Sequence, residues 1–190
     1  MTQKITLKNV RINQVHVWEA QEYMGKVAYK CQYLLPKGSD LLKQVQDAML
    51  ADCEEVWPKK GKARLASFTG KTETCLRDGD LIEWEPLHGH MVLTANRDVD
   101  KGAPKIFNRN RDENGHLEQL KPSEGKIYSG VIANSTVEIW AQENPKYPGI
   151  RCTLINLQFV KHAPAFGGGE PASDTGLDDL GYDEDDDDLS

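Results

Sequence analysis

Charge is distributed so unevenly along this chain that the place where a core can form is restricted from the outset. From Phe166 to Ser190 there are ten acidic side chains and no Lys or Arg, and the run Asp183-Glu184-Asp185-Asp186-Asp187-Asp188 ends two residues from the C-terminus. Such a segment has too little apolar surface to offset the conformational entropy of folding. The full chain carries 30 acidic and 23 basic groups, a net charge of −7. Residues 1–165 hold 20 of the acids and all 23 cations, so the body is mildly basic at +3. A basic body tethered to its own polyanion points to a surface that binds a polyanion, with the tail competing for it. The plainer reading is a solubilising terminus with no partner. Pro164 and Gly167-Gly168-Gly169 mark a linker, which places one folded domain at residues 1–163 and the linker with its disordered acidic tail at 164–190.

A body of this size can bury a core without covalent staples. No apolar run approaches the roughly 20 residues needed to span a bilayer, so no membrane partner is expected. The opening Met1-Thr2-Gln3-Lys4-Ile5 has no signal-peptide core, and a cytoplasmic location is expected. Cys31, Cys53, Cys75 and Cys152 never form C-x-x-C and read as buried thiols. His88 and His90, with Asp78, Asp80, Glu83 and Glu85 near in sequence, are the one candidate metal set. H-x-H alone has low specificity, and no zinc, EF-hand, P-loop or nucleophile-elbow motif accompanies it. No cofactor, metal or catalytic activity is expected.

Periodicity describes mainly strands. Ile5–Ile12 alternates, as does Lys26–Leu35 through Val27, Tyr29, Cys31 and Tyr33 up to the turn Pro36-Lys37-Gly38. Ser39 or Asp40 caps a helix with Leu41, Leu42, Val45, Met49 and Leu50 at helical spacing, ending before Trp57-Pro58. Residues 59–71 read as a basic loop, Asp78-Gly79-Asp80 as a turn and His90–Ala95 as a short strand. An excursion over 99–125 holds a short strand at Lys105–Phe107. Strands at Lys126–Trp140 and Ile150–Val160, joined around Asn144–Gly149, close the body. The fold class is therefore mainly β: an OB-fold-like five-stranded antiparallel barrel with one inserted helix. A split α+β sandwich has much the same strand count.

Two stretches combine cations with aromatics. The first holds Trp57, Lys59, Lys60, Lys62, Arg64, Phe68 and Lys71 with no acid among them. Cations neutralise phosphates and exposed aromatic faces stack unpaired bases, so interleaving the two describes a groove for a single strand. A solvated loop beside two core aromatics is the bland alternative. The second holds Arg97, Lys101, Lys105, Phe107, Arg109 and Arg111, diluted by Asp98, Asp100 and Asp112; it reads equally as a solvated loop. Tyr128 offers a further stacking face.

As a whole the chain resembles the compact phage-encoded single-stranded DNA-binding proteins, in the branch known first from phage genomes as a domain of unknown function. The resemblance rests on Lys4-Ile5-Thr6-Leu7-Lys8-Asn9-Val10-Arg11, Leu76-Arg77-Asp78-Gly79-Asp80, Thr94-Ala95-Asn96-Arg97, Ile127-Tyr128-Ser129-Gly130 and Gly149–Gln158, collinear with an acidic tail. It implies an OB barrel that binds single-stranded DNA through a basic, aromatic-containing face. It also implies a tail, Asp183–Asp188 with Leu189 as an apolar tip, that covers the groove and recruits replication and recombination proteins. Relatives of this design often end in an aromatic residue; this chain ends Asp188-Leu189-Ser190, with Tyr182 ahead of the acids. Self-association is compatible with the pattern. The rival from another class is an acidic-tailed adaptor or assembly chaperone for a basic protein, with no nucleic acid bound; RNA in place of DNA is a second.

Overall fold

The computed structural model describes residues 2–166. The glycine linker and the tail residues Asp183, Glu184, Asp185, Asp186, Asp187, Asp188 and Leu189 lie outside the described residues, and so does the expected disorder of the tail. Strands β1 (Gln3–Tyr23) and β2 (Lys26–Pro36) form a long hairpin, followed by α1 (Asp40–Val56) and α2 (Gly61–Ser67). Then come β3 (Leu76–Asp78), β4 (His90–Asp98), β5 (Lys105–Arg111), β6 (Leu117–Gln119), β7 (Ile132–Gln142) and β8 (Gly149–Lys161).

Hydrogen bonding runs around a ring from β1 to β2, β4, β8, β7 and back to β1. This is the expected five-stranded barrel of OB type. Its β1–β2, β2–β4, β1–β7 and β7–β8 seams are antiparallel. The closing seam of β4 on β8 is parallel and rests on one pair, Asn96 with Thr153. Beyond that pair β8 changes partner, and Asn156–Gln158 bond to β5.

The barrel fills from alternate strand positions. Leu7, Val10, Ile12, Cys31, Tyr33, Leu35, Leu93, Val137, Ile139 and Leu154 are all at or below 1% exposure, which leaves their strand neighbours on the outer face. Tyr33 brings a hydroxyl into this core, where it meets Ser135 Oγ at 2.6 Å. Because Ser135 donates to the Asn156 carbonyl at 2.6 Å, the Tyr33 O–H is the donor to Ser135. The inserted helix α1 forms as expected: Ser39 Oγ accepts from Leu42 N at 3.2 Å, and Leu42, Val45, Met49 and Cys53 face the core.

Three expectations need correction. Strand β1 does not stop at Ile12. It runs to Tyr23 through register shifts at Leu7/Val10 and Asn13/His16, with Asn9 at φ 53° and Gln14 at φ 45°. Each extra residue breaks the two-residue period by which a strand is recognised. The basic segment after Trp57 is not all loop, because Lys62-Ala63-Arg64-Leu65-Ala66 are strong helix formers and build α2. Gly61 starts that helix against α1; a Cβ there would lie 2.5 Å from Glu54 N. Finally, the strand expected from Lys126 begins only at Ile132, because Ile127–Gly130 fold back beneath the chain at Pro164–Phe166.

Candidate nucleic-acid interface

Strand register dictates which side chains share the outer face of β1, β2 and β4. One row runs Arg11, Leu34, Val92 and, on β3, Arg77. The next is Asn13, Gln32 and Thr94, linked side chain to side chain at 3.2 and 3.3 Å. Then come His16, Lys30 and Asn96, with Thr153 across the closing seam, and last Gln21, Ala28 and Asp98. Over the last two rows the β1–β2 tip and the β7–β8 end wall in a cleft of about 490 Å³. Tyr23, Lys26, Lys30, Lys101, Trp140 and Arg151 stand around it.

Several of these side chains suit an anionic, unstacked strand. Tyr23 is 77% exposed at the hairpin tip. Trp140 points outward between inward Ile139 and Ala141, and its indole N–H donates to Thr153 Oγ1 at 3.0 Å, which fixes the ring at the cleft wall. Lys30 is half-buried, and among the described residues its ammonium donates to a neutral acceptor, Gln14 Oε1 at 2.9 Å. Burial, and secondarily the charge of Arg77, hold its pKa below the usual lysine value. A phosphate would relieve both penalties. Burial likewise lowers Arg151, against the smaller opposing effect of Glu73; its guanidinium donates to the carbonyls of Tyr147 and Ile150. Ion pairs among the described residues engage Lys37 with Asp78 and Asp80, Lys43 with Asp47, and His116 with Asp112; none involves a cation of the cleft.

The residues singled out from sequence scatter. Lys101 lines the cleft. Arg97 does not present its charge there: it donates to the carbonyls of Gly102 (2.7 Å), Lys101 (2.7 Å) and Leu154 (3.2 Å). It ties the β4–β5 loop to β8 where β8 changes partner. Lys105 and Phe107 lie past that branch on β5, Lys105 exposed and Phe107 half-buried. On the helices, Phe68 is 7% exposed and packs on Trp57 at 5.9 Å, while Arg64 covers the Trp57 ring at 5.5 Å. Neither Phe68 face is open to a base. Lys59, Lys60, Lys62 and Lys71 are exposed. Lys71 belongs to the loop whose Glu73 carbonyl and Cys75 N–H pair with Ile150, on the approach to the β7–β8 end of the cleft. Tyr128 stacks on His162 and gives its hydroxyl to the Ala163 carbonyl at 2.9 Å.

Tyr23, Lys26, Lys30, Trp140 and Arg151 were not reached from sequence. Alternation held a usable signal for two of them: if Cys31 and Tyr33 point inward, Lys30 and Gln32 point outward, and Trp140 is likewise opposite Ile139.

A model of the family described as "Enterobacter phage Enc34, ssDNA-binding protein" matches residues 3–190, and the chain belongs to that family. "Putative protein p50" of Acyrthosiphon pisum secondary endosymbiont phage 1 is 30% identical over 182 residues, which is 93% of this chain and 94% of that one. The structure of the single-stranded DNA-binding protein from bacteriophage Enc34 in complex with ssDNA superposes with a TM-score of 0.67 at 23% identity, covering 86% of this chain and 89% of that one. The gp2.5 single-stranded DNA binding protein encoded by bacteriophage T7 gives 0.56 at 14% identity, over 96% and 98%. The two superpositions show a shared fold.

Proposed function

We propose that this member of the phage single-stranded DNA-binding family lays single-stranded DNA in the cleft between the β1–β2 tip and the β7–β8 end, without strong sequence preference. The observation that carries the reading is Lys30, a half-buried ammonium without a carboxylate partner among the described residues, on the same face as Tyr23 and Trp140. The outer face of these strands and the two loops beside it are where OB barrels take oligonucleotides. Lys26, Lys30, Lys101 and Arg151 neutralise phosphates, while Tyr23 and Trp140 stack bases. The exposed lysines 59, 60, 62 and 71 extend the basic surface towards the same end. In this reading the protein serves phage DNA replication and recombination. Its acidic run Asp183–Asp188 competes with DNA for the cations at an effective concentration in the millimolar range, and recruits the proteins that act on the coated strand.

The test is anisotropy of a labelled oligo-dT strand across a salt series. Lys30→Met is expected to reduce the slope of log K on log salt by about 0.7, the share of one phosphate contact on a single strand. Trp140→Leu is expected to cost about 1–3 kcal/mol with the slope unchanged. Replacing the six tail acids by their amides is expected to strengthen binding at low salt. A chain that binds no DNA but captures basic proteins is the adaptor instead.

A further inference from the structure

The outer face continues past the cleft. Its first row, Arg11–Leu34–Val92–Arg77, lies four residues along β2 from Lys30, roughly 13 Å at the rise of a strand. The polar row Asn13–Gln32–Thr94 joins the two without a break. At that far end stands an aromatic sandwich made by the chain itself. The Arg11 guanidinium lies 3.9 Å from the centroid of the Phe166 ring, and Trp84 meets the same ring edge-on at 5.3 Å. Leu34, Leu87 and Val92 form the apolar floor beneath.

Phe166 is held by a thin stem. Its backbone N–H donates to the Ser129 carbonyl at 2.9 Å, and Arg11 donates to the carbonyls of Pro164 at 2.6 Å and Gly130 at 3.0 Å. Gly130, at φ +113°, permits this close crossing, because a Cβ there would collide with the Pro164 carbonyl. Packing among the described residues therefore extends to Phe166.

A guanidinium over a flat ring, with an indole against its edge, is also how proteins hold an unpaired base. Resting on the single-strand reading above, we propose that the Arg11–Trp84 slot is a second base-stacking subsite, filled by Phe166 in the free protein and by a base once a bound strand is long enough to cross the Gln32 row. Arg77, in the same row as the slot, lies beside that path. The glycine linker that leads to the first tail acid, Glu170, starts directly after Phe166, so filling the slot with a base and releasing the stem of the tail become a single event.

The experiment uses the full chain, oligo-dT strands of graded length within the roughly 4–16 nucleotides an OB fold occupies, and affinity read by anisotropy. Phe166→Ala is expected to leave the affinity for the shortest binding strands unchanged and to raise it about three- to tenfold once the strand reaches the slot, because the internal competitor is gone. Adding Trp84→Leu is expected to cancel that gain. Phe166→Leu keeps an apolar side chain over Leu34 and Leu87 and is expected to shift affinity in the same direction by less, which guards against a folding defect. A gain equal at every length, or one that survives Trp84→Leu, would overturn the slot and leave Phe166 as a tail anchor only. Failure of the unsubstituted chain to bind any strand overturns the single-strand reading itself, and the slot with it.

Discussion

Arg97 separates two uses of a cation that sequence does not distinguish, and its replacement by Ala tells them apart. All its hydrogen bonds in the structure go to backbone carbonyls: Gly102, Lys101 and Leu154. The first two belong to an exposed loop and regain water when the guanidinium is removed, so their loss costs a few tenths of a kcal/mol each. The bond to Leu154 is partly buried, at the point where β8 leaves β4 for β5. A charged hydrogen bond of that kind is worth about 1.5–3 kcal/mol. The expected total is about 2–3 kcal/mol, which at this chain length lowers Tm by about 4–12 °C. Arg97→Lys recovers little, because one ammonium cannot serve three diverging carbonyls. On oligo-dT, Arg97→Ala should weaken binding only through displacement of the loop that carries Lys101, with the salt slope almost unchanged. If the variant melts with the parent and its salt slope falls by about 0.7, Arg97 contacts phosphate directly and the stapling role assigned to it is wrong.

Phe68→Ala should cost about 3–5 kcal/mol of stability by opening a cavity against Trp57; below the melting range oligo-dT affinity should hold, and a stable variant with weak binding would return Phe68 to the DNA surface. Tyr33→Phe removes one donor and leaves Ser135 still bonded to the Asn156 carbonyl, for about 0.5–1.5 kcal/mol by denaturant titration. Ser135→Ala removes the acceptor of the Tyr33 hydroxyl, leaving it the weaker Cys31 thiol, and the side-chain donor to that carbonyl together, so it should cost more; the opposite order would refute the assigned donor direction. Asp52 is buried with Oδ2 accepting from Ala141 N at 2.6 Å and Oδ1 without a partner among the described residues. Burial raises its pKa above 3.8, so its contribution to stability is full below that value and is lost as pH rises through the higher folded pKa. Asp52→Asn should therefore gain on the parent chain between acid and neutral pH, and a gap that stays constant in denaturant melts across that range would show that the carboxylate is not destabilised by burial.

What was legible in the sequence is what repeats with a fixed period. Alternation located β2, β4, β7 and β8, and the Ser39 cap with Leu42, Val45 and Met49 located α1. Where β1 inserts residues at Asn9 and Gln14 the alternation slips, and the second half of the strand, which carries Tyr23, vanished with it. Helix α2 was hidden by its own charge, since lysines that suggest a loop are also good helix formers. The cations are legible only as counts: four lysines and an arginine fall within residues 59–71, yet on the folded chain they lie on and around a short helix, and Arg97 is spent on carbonyls.

The cleft has the opposite character. Lys26 and Lys30 come from one strand, Trp140 from a second and Arg151 from a third, each among neighbours that give it no emphasis. They meet because the barrel closes, and at the β4–β8 seam that closure rests on the single pair of Asn96 with Thr153, braced by Arg97. The same closure explains why charges can stand there unpaired. Lys30 and Arg151 are half-buried by strands fixed for other reasons, so the barrel core offsets the cost of keeping two cations poorly solvated, Lys30 also facing the charge of Arg77. A surface loop rich in lysine carries no such cost, because its ammonium groups are already hydrated and gain little from a phosphate beyond counterion release. On the proposed reading, the cations that DNA would improve most are therefore the ones the fold has placed at a disadvantage, and they are found by following strand register around the barrel.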